Sequence, residues 1–293
     1  MLTKPGLRLM GGRDRTVHFC VRRPRCRGTP SRSHTEKLLQ DTEGYERLQL
    51  GPRGRAGMCG AQLTNGRQTA GMSDVPHHRR VLVVAGGDER PLSALSSRLG
   101  SFDVVIAADS GVHHAQSLGL HIDLVVGDFD SVSEDAVARA VADGAVLDPF
   151  PAAKDQTDLE LAIDRAFEEG GHGAEIVVVA SVSGRLDHAL ANLLLLASPS
   201  YATCRVSAYV DRWSVSVLRD ETRTFLTAPD RTVTLLVVHP EGVRVETRGL
   251  AYPLRDEVVY RSSTRGVSNV TVGDEFEVRV AGGVLLVLRE WAD

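Results

Sequence analysis

Cysteine is scarce in this chain. There are four in 293 residues (Cys20, Cys26, Cys59 and Cys204), and no two are spaced as CxxC. That spacing argues against a zinc ribbon or a disulfide framework and fits a reducing, cytoplasmic setting. No apolar stretch reaches the roughly 18–20 residues of a membrane helix, so no membrane partner is expected. The first residues lack the apolar run of a secretory signal. Neither GxGxxG nor GxxxxGK[ST] occurs, which removes the standard dinucleotide fingerprint and the P-loop. Lysine is nearly absent too, at 3 against 31 arginines, as GC-rich coding DNA would give.

The net charge of −4 hides an asymmetry. Residues 1–80 hold 16 Lys+Arg against 6 Asp+Glu, and the remainder holds 18 against 32. An acidic body repels a phosphate backbone and welcomes metal ions, so nucleic acid is not an expected partner. Residues 1–78 are rich in Arg, Gly, Pro, Ser and Thr without a sustained period, and cannot bury enough surface to offset their ordering entropy. They read as a disordered basic extension, with translation expected to begin near Met72.

From Arg80 onward strands and helices alternate. Val81–Ala85, Val104–Ala108, Leu124–Val126, Ala145–Leu147, Glu175–Val182 and Arg205–Val210 read as buried strands. Helices are expected over Leu92–Leu99, Val112–Leu118, Asp135–Ala142, the segment after Thr157, and Asp187–Ala197. Ser131-x-x-Glu134 and Thr157-x-x-Glu160 have the pattern of capping boxes. Strands apolar on both faces and alternating with helices imply an α/β fold, a parallel sheet covered by helices on both faces. After about Arg219 the rhythm changes to short strands at Thr232–Val238, Val243–Thr247, Asp274–Val280 and Val284–Leu288. Gly282-Gly283 reads as a hairpin turn. A small all-β sandwich domain is expected over 219–293, following an α/β nucleotide-binding domain over 79–218.

Polar clusters fall at the carboxyl ends of the parallel strands, where open α/β sheets bind ligands. Gly86-Gly87 follows the first strand, Asp109-Ser110-Gly111 the second, and Gly127-Asp128-Phe129-Asp130-Ser131 the third. Asp128 and Asp130 are two apart, so in extended chain they point the same way. Paired carboxylates call for a hard divalent cation, and Mg²⁺ would bring a nucleotide phosphate with it. Phosphoryl-type transfer is the expected chemistry. A further acidic signature is Lys154-Asp155-Gln156-Thr157-Asp158, where Thr157 and Asp158 read equally as helix-start residues. Arg185 reads either as a phosphate clamp or as the ion-pair partner of Asp187. Asp128 and Asp155 are both candidates to accept a substrate proton. His113-His114 reads as surface, because neighbours on a helix face different ways.

Taken together, Ala108–Gly111, Gly127–Ser131, Lys154–Asp158 and Gly184–His188 resemble the thiamine pyrophosphokinase family in its bacterial form. Gly249–Leu254 and Ser262–Asn269 look like that family's thiamine-side motifs. The resemblance covers about residues 80–290, in order. It implies transfer of a diphosphate from ATP to the thiamine hydroxyl, giving thiamine diphosphate and AMP, the last step of thiamine diphosphate salvage. It also implies a homodimer with the active site between subunits. By this resemblance Asp128, Asp130 and Asp155 would hold Mg²⁺, with Asp158 also catalytic. Asp109, Ser110, Gly111, Thr157, Arg185 and Asp187 would bind ATP, and Tyr252, Ser268 and Asn269 the thiamine. Related enzymes often carry Trp at the Tyr252 position. The role of Lys154 is left open.

Overall fold

The computed structural model describes residues 78–87, 93–182 and 185–291. The expectations for residues 1–77, including the start near Met72, fall outside these residues, as do Leu92 and Ser183-Gly184.

The core of the fold is a sheet of six strands: β1 (Arg80–Ala85), β2 (Val104–Ala108), β3 (Leu124–Gly127), β4 (Val146–Pro149), β5 (Glu175–Ala180) and β6 (Arg205–Val210). The expected burial of the fourth is corrected: β4 is the edge strand, and its Val146 is 62 % exposed. All six are parallel, in the order β6-β5-β1-β2-β3-β4. The β-branched runs explain the choice, since such side chains pack well on a pleated surface. Alternate residues of β1 feed two separate cores, Val81, Val83 and Ala85 on one face and Leu82 and Val84 on the other. A sheet buried on both faces needs helices on both, as the apolar runs predicted.

Those helices are α1 (Ser93–Leu99), α2 (Gly111–Ser117), α3 (Glu134–Ala142), α4 (Asp158–Gly170) and α5 (Leu186–Leu196). Thr157 caps α4 as its motif predicted, its hydroxyl accepting from the Glu160 amide at 3.2 Å. Leu159, Leu161, Ala162, Ile163 and Ala166 of α4 are buried against β1 and β2. Each large apolar side chain so buried contributes about 1.5–3 kcal/mol.

The capping box predicted for α3 is corrected. The helix starts at Glu134 and its cap is Ser133, whose side chain accepts from the Ala136 amide. The Ser131 hydroxyl instead donates to Asp109 Oδ2. A bond to a carboxylate is stronger than one to a neutral partner. His114 is corrected as well. It is 5 % exposed and hydrogen-bonds the Ala85 carbonyl through Nδ1 at 3.0 Å, tying α2 to the end of β1.

Beyond β6 the same sheet continues antiparallel through β7 (Trp213–Arg219), β14 (Val284–Glu290), β9 (Thr232–Val237) and β12 (Asn269–Val270). A second sheet of β8 (Thr222–Leu226), β13 (Glu275–Ala281), β10 (Val243–Arg248) and β11 (Glu257–Val259) stacks on that extension. A third core fills the space between, with Leu218, Leu235 and Leu285 from the long sheet and Phe276, Val278 and Val245 from the second. This is the expected sandwich, though its first layer is continuous with the parallel sheet. The Gly282-Gly283 hairpin is corrected: β13 pairs with β8 and β10, and β14 with β7 and β9. The turn therefore carries the chain from one layer to the other.

Candidate active site

The order β5-β1-β2 places the reversal of chain direction through the sheet beside β1. A crevice at the carboxyl ends of the strands is expected there. Two backbone features build it. Asp109, directly after β2, has φ +46°, a left-handed conformation that aspartate tolerates better than most residues. Gly127, ending β3, has φ +146°, and a Cβ on it would lie 3.1 Å from both Asp109 Cβ and Asp158 Oδ1. At this φ, a side chain on residue 127 would be strained and would crowd Asp109, after β2, and Asp158, in α4.

Asp109, Asp128 and Asp130 converge, each offering a carboxylate oxygen, with these oxygens all within 4.8 Å of one another. Asp109 is 9 % exposed. Its Oδ2 is taken by Ser131, while Oδ1 is buried without a hydrogen-bond partner among the described residues. A buried, unpaired carboxylate oxygen is costly unless something positive meets it. With three carboxylate donors, the group fits a hard cation such as Mg²⁺. The Asp130 amide donates to Asp128 Oδ1 at 3.2 Å. Lys154 Nζ donates to Asp128 Oδ2 at 3.1 Å and pairs with Asp158 Oδ1 at 2.8 Å.

The electrostatics separate these groups. Burial raises the Asp128 carboxyl, but the bond from Lys154, the Asp130 amide and the ammonium's charge together hold it below the usual 3.8. Asp130 has no such cation. The charge on Asp128, then burial, then the charge on Asp109 push it above 3.8. Burial lowers Lys154, but its bonds to Asp158 and Asp128 outweigh that and raise it, so the side chain stays an ammonium.

The other predicted residues distribute as follows. Ser110 and Gly111 adjoin Asp109, and Gly111 sits so close to β1 that a Cβ would strike the Val84 carbonyl. Asp155 is exposed and lies outside the converging group of three. Arg185 and Asp187 form a two-pronged pair at 3.0 and 2.8 Å, both well exposed at the start of α5. That bond and its charge keep Asp187 well below the usual carboxylate range.

Tyr252 and the segment Ser263–Asn269 line an open depression of about 430 Å³. Tyr252 is 63 % exposed there. Asn269 is 2 % exposed and turned to the backbone. Its Oδ1 accepts from the Tyr252 amide at 3.0 Å and the Val270 amide at 2.9 Å, and its Nδ2 donates to the Tyr252 carbonyl at 2.7 Å. It holds Tyr252 in place. Arg265 closes the rim through Glu257, at 2.9 and 3.2 Å.

Sequence reasoning missed two parts of this site. Ser131 was read as a cap, although it adjoins Asp130 and faces the Asp109 carboxylate. Lys154 lies in the loop before α4, so its closeness to Asp158 has no helical spacing to announce it. Its pairing with Asp128 across elements had no signal either.

Carboxylates and one ammonium gathered at the strand ends of an α/β sheet suit a metal-bound phosphate, as a transferase of the kinase type requires. Residues 95–208 match the family described as "Thiamin pyrophosphokinase, catalytic domain". The thiamine pyrophosphokinase of Bacillus subtilis is 25 % identical over 222 residues, covering 72 % of this chain and 98 % of that protein. The crystal structure of thiamin pyrophosphokinase from Geobacillus thermodenitrificans is 28 % identical, with a TM-score of 0.60 over 73 % of this chain and 98 % of that one. The Bacillus subtilis enzyme structure, at 23 % identity, shares the fold with a TM-score of 0.64, covering 73 % of this chain and all of that one. Over residues 95–208 the chain carries the catalytic domain of the thiamine pyrophosphokinase family, the family its motifs resemble.

Proposed function

We propose that this chain moves a diphosphate group from ATP to the hydroxyl of thiamine, releasing AMP, as a Mg²⁺-dependent cytoplasmic enzyme. The observation that carries the reading is the convergence of Asp109, Asp128 and Asp130, with the buried Asp109 Oδ1 left without a hydrogen-bond partner among the described residues. These three residues would hold the cation. When bound, Mg²⁺ supplies charge neutralisation on the phosphate oxygens.

This chain's residues do the rest. The thiamine hydroxyl oxygen attacks the β-phosphorus of ATP, the bond from that phosphorus to the α–β bridging oxygen breaks, and AMP leaves with the electron pair. Alignment and charge stabilisation lower the barrier in such transfers. Tyr252 offers an aromatic face to the pyrimidine and Ser268 a hydroxyl; Asn269 fixes Tyr252 through its backbone, and the Ser268 amide is held by Thr234 Oγ1 at 3.1 Å. Arg185 and Asp187 would hold the nucleotide, with Ser110, Gly111 and Thr157 lining it. Asp155 has no hydrogen bond or ion pair with another described residue. It stands ready to reach the bound nucleotide or, as Asp128 could, to accept the hydroxyl proton.

A homodimer is part of the proposal. Leu186, Leu190 and Leu194 recur every four residues along α5 and are 69, 54 and 59 % exposed. One helix face with three exposed leucines is what a second copy would cover. The experiment is an assay with ATP, thiamine and Mg²⁺. AMP and thiamine diphosphate should form in equal amounts. Release of ADP, or turnover without thiamine, would contradict the reading.

A further inference from the structure

Residues 79–293 contain 19 arginines and a single lysine, Lys154. That lysine stands inside the acidic site. Its Nζ bridges Asp128, after β3, and Asp158, the first residue of α4, and its side chain is 13 % exposed. An ammonium is a compact point charge with freely directed donors. A guanidinium is a planar fork built for one bidentate partner. Between two carboxylates on different elements, the ammonium does what a small cation would do. Asp128 is shared: one oxygen faces Lys154, and the residue is also part of the converging group.

We propose that Lys154 is a positioning residue, a built-in counter-cation that holds Asp128 and Asp158 together before any metal arrives and competes with the divalent ion for Asp128. It keeps the site assembled but its grip on the ion loose, so that a nucleotide-bound cation can enter and leave on each turnover. The inference rests on the reading of Asp109, Asp128 and Asp130 as the cation position.

The test titrates Mn²⁺ alone into the purified full-length chain and follows free Mn²⁺ by electron paramagnetic resonance, without nucleotide or thiamine. Lys154→Met and Lys154→Gln should bind Mn²⁺ about tenfold more tightly than the wild type or better, the scale of removing one unit charge at contact distance. Their kcat should fall. Lys154→Arg, which keeps the charge, should bind Mn²⁺ within about threefold of the wild type. A merely structural lysine would weaken both metal binding and turnover when lost. Mn²⁺ affinity that is unchanged or weaker in the folded Met and Gln variants overturns the inference while leaving the cation position intact. Absence of Mn²⁺ uptake by the wild type overturns the cation position itself, and the inference with it.

Discussion

Replacing Asn269 by alanine tests how the proposed thiamine side is built. The Asn269 side chain is 2 % exposed and makes three hydrogen bonds, at 2.7, 2.9 and 3.0 Å, two of them to the backbone of Tyr252. Each such bond contributes about 1 kcal/mol net, and a buried group left unpaired costs more. Tyr252 itself is well exposed, so water can rescue part of the loss. The expected destabilisation is about 2–3 kcal/mol, a fall in Tm of about 5–10 °C for a folded unit of this size. Freed of its clamp, the Tyr252 ring loses its fixed pose over the pocket. The KM for thiamine should rise about tenfold, corresponding to about 1.4 kcal/mol, with kcat changed much less. Asn269→Asp should also fail, because it sets a carboxylate oxygen against the Tyr252 carbonyl. Thermal unfolding and steady-state kinetics provide the readouts. A Tm within 1 °C of the wild type, together with an unchanged thiamine KM, would refute the clamp.

Two further outcomes follow from the same geometry. Leu190→Glu, in the middle of the exposed stripe of α5, should convert a dimer to a monomer in light scattering. A dimer that persists places the interface elsewhere. The Glu257–Arg265 pair should show a defined pH dependence: the bond from Arg265 holds the Glu257 carboxyl below its usual 4.5. Its small, solvent-screened contribution is present above that value and lost as pH falls through the lower folded value. The Tm difference between the wild type and Glu257→Gln should therefore stay constant from pH 7 to 5 and shrink below about pH 4.5. A difference that grows on acidification would reverse the sign of the argument.

The parallel half was legible because burial on both faces writes continuous apolar runs into the sequence, and Val81–Ala85 or Ile176–Val179 can hardly be anything else. Its site was legible for a related reason: each polar cluster directly follows such a run. The β half was less so. β7 and β8 have no counterpart in the sequence reading, β8 opening on three consecutive polar residues, and β11 and β12 are three and two residues long. Partner choice in a sandwich is a long-range matter, so the glycine pair after β13 looked like a hairpin although it joins two layers. At the site, local pattern lost to charge. Ser131 fits a capping box, but a nearby carboxylate is the stronger partner, and Ser133 caps the helix instead. For His113-His114 the rule that neighbours face apart was right, yet one of them faces inward, where the Ala85 carbonyl satisfies it.

The most direct test of the central claim is the turnover of Asp130→Asn beside its stability. Asp130 stands against the charges of Asp128 and Asp109, so neutralising it relieves repulsion in the metal-free protein. The Tm should hold or rise, while kcat with ATP, thiamine and Mg²⁺ should fall by at least about 10²-fold, the scale of losing one key electrostatic contact. Near-normal turnover in this variant would contradict the assignment of the converging carboxylates to the chemistry.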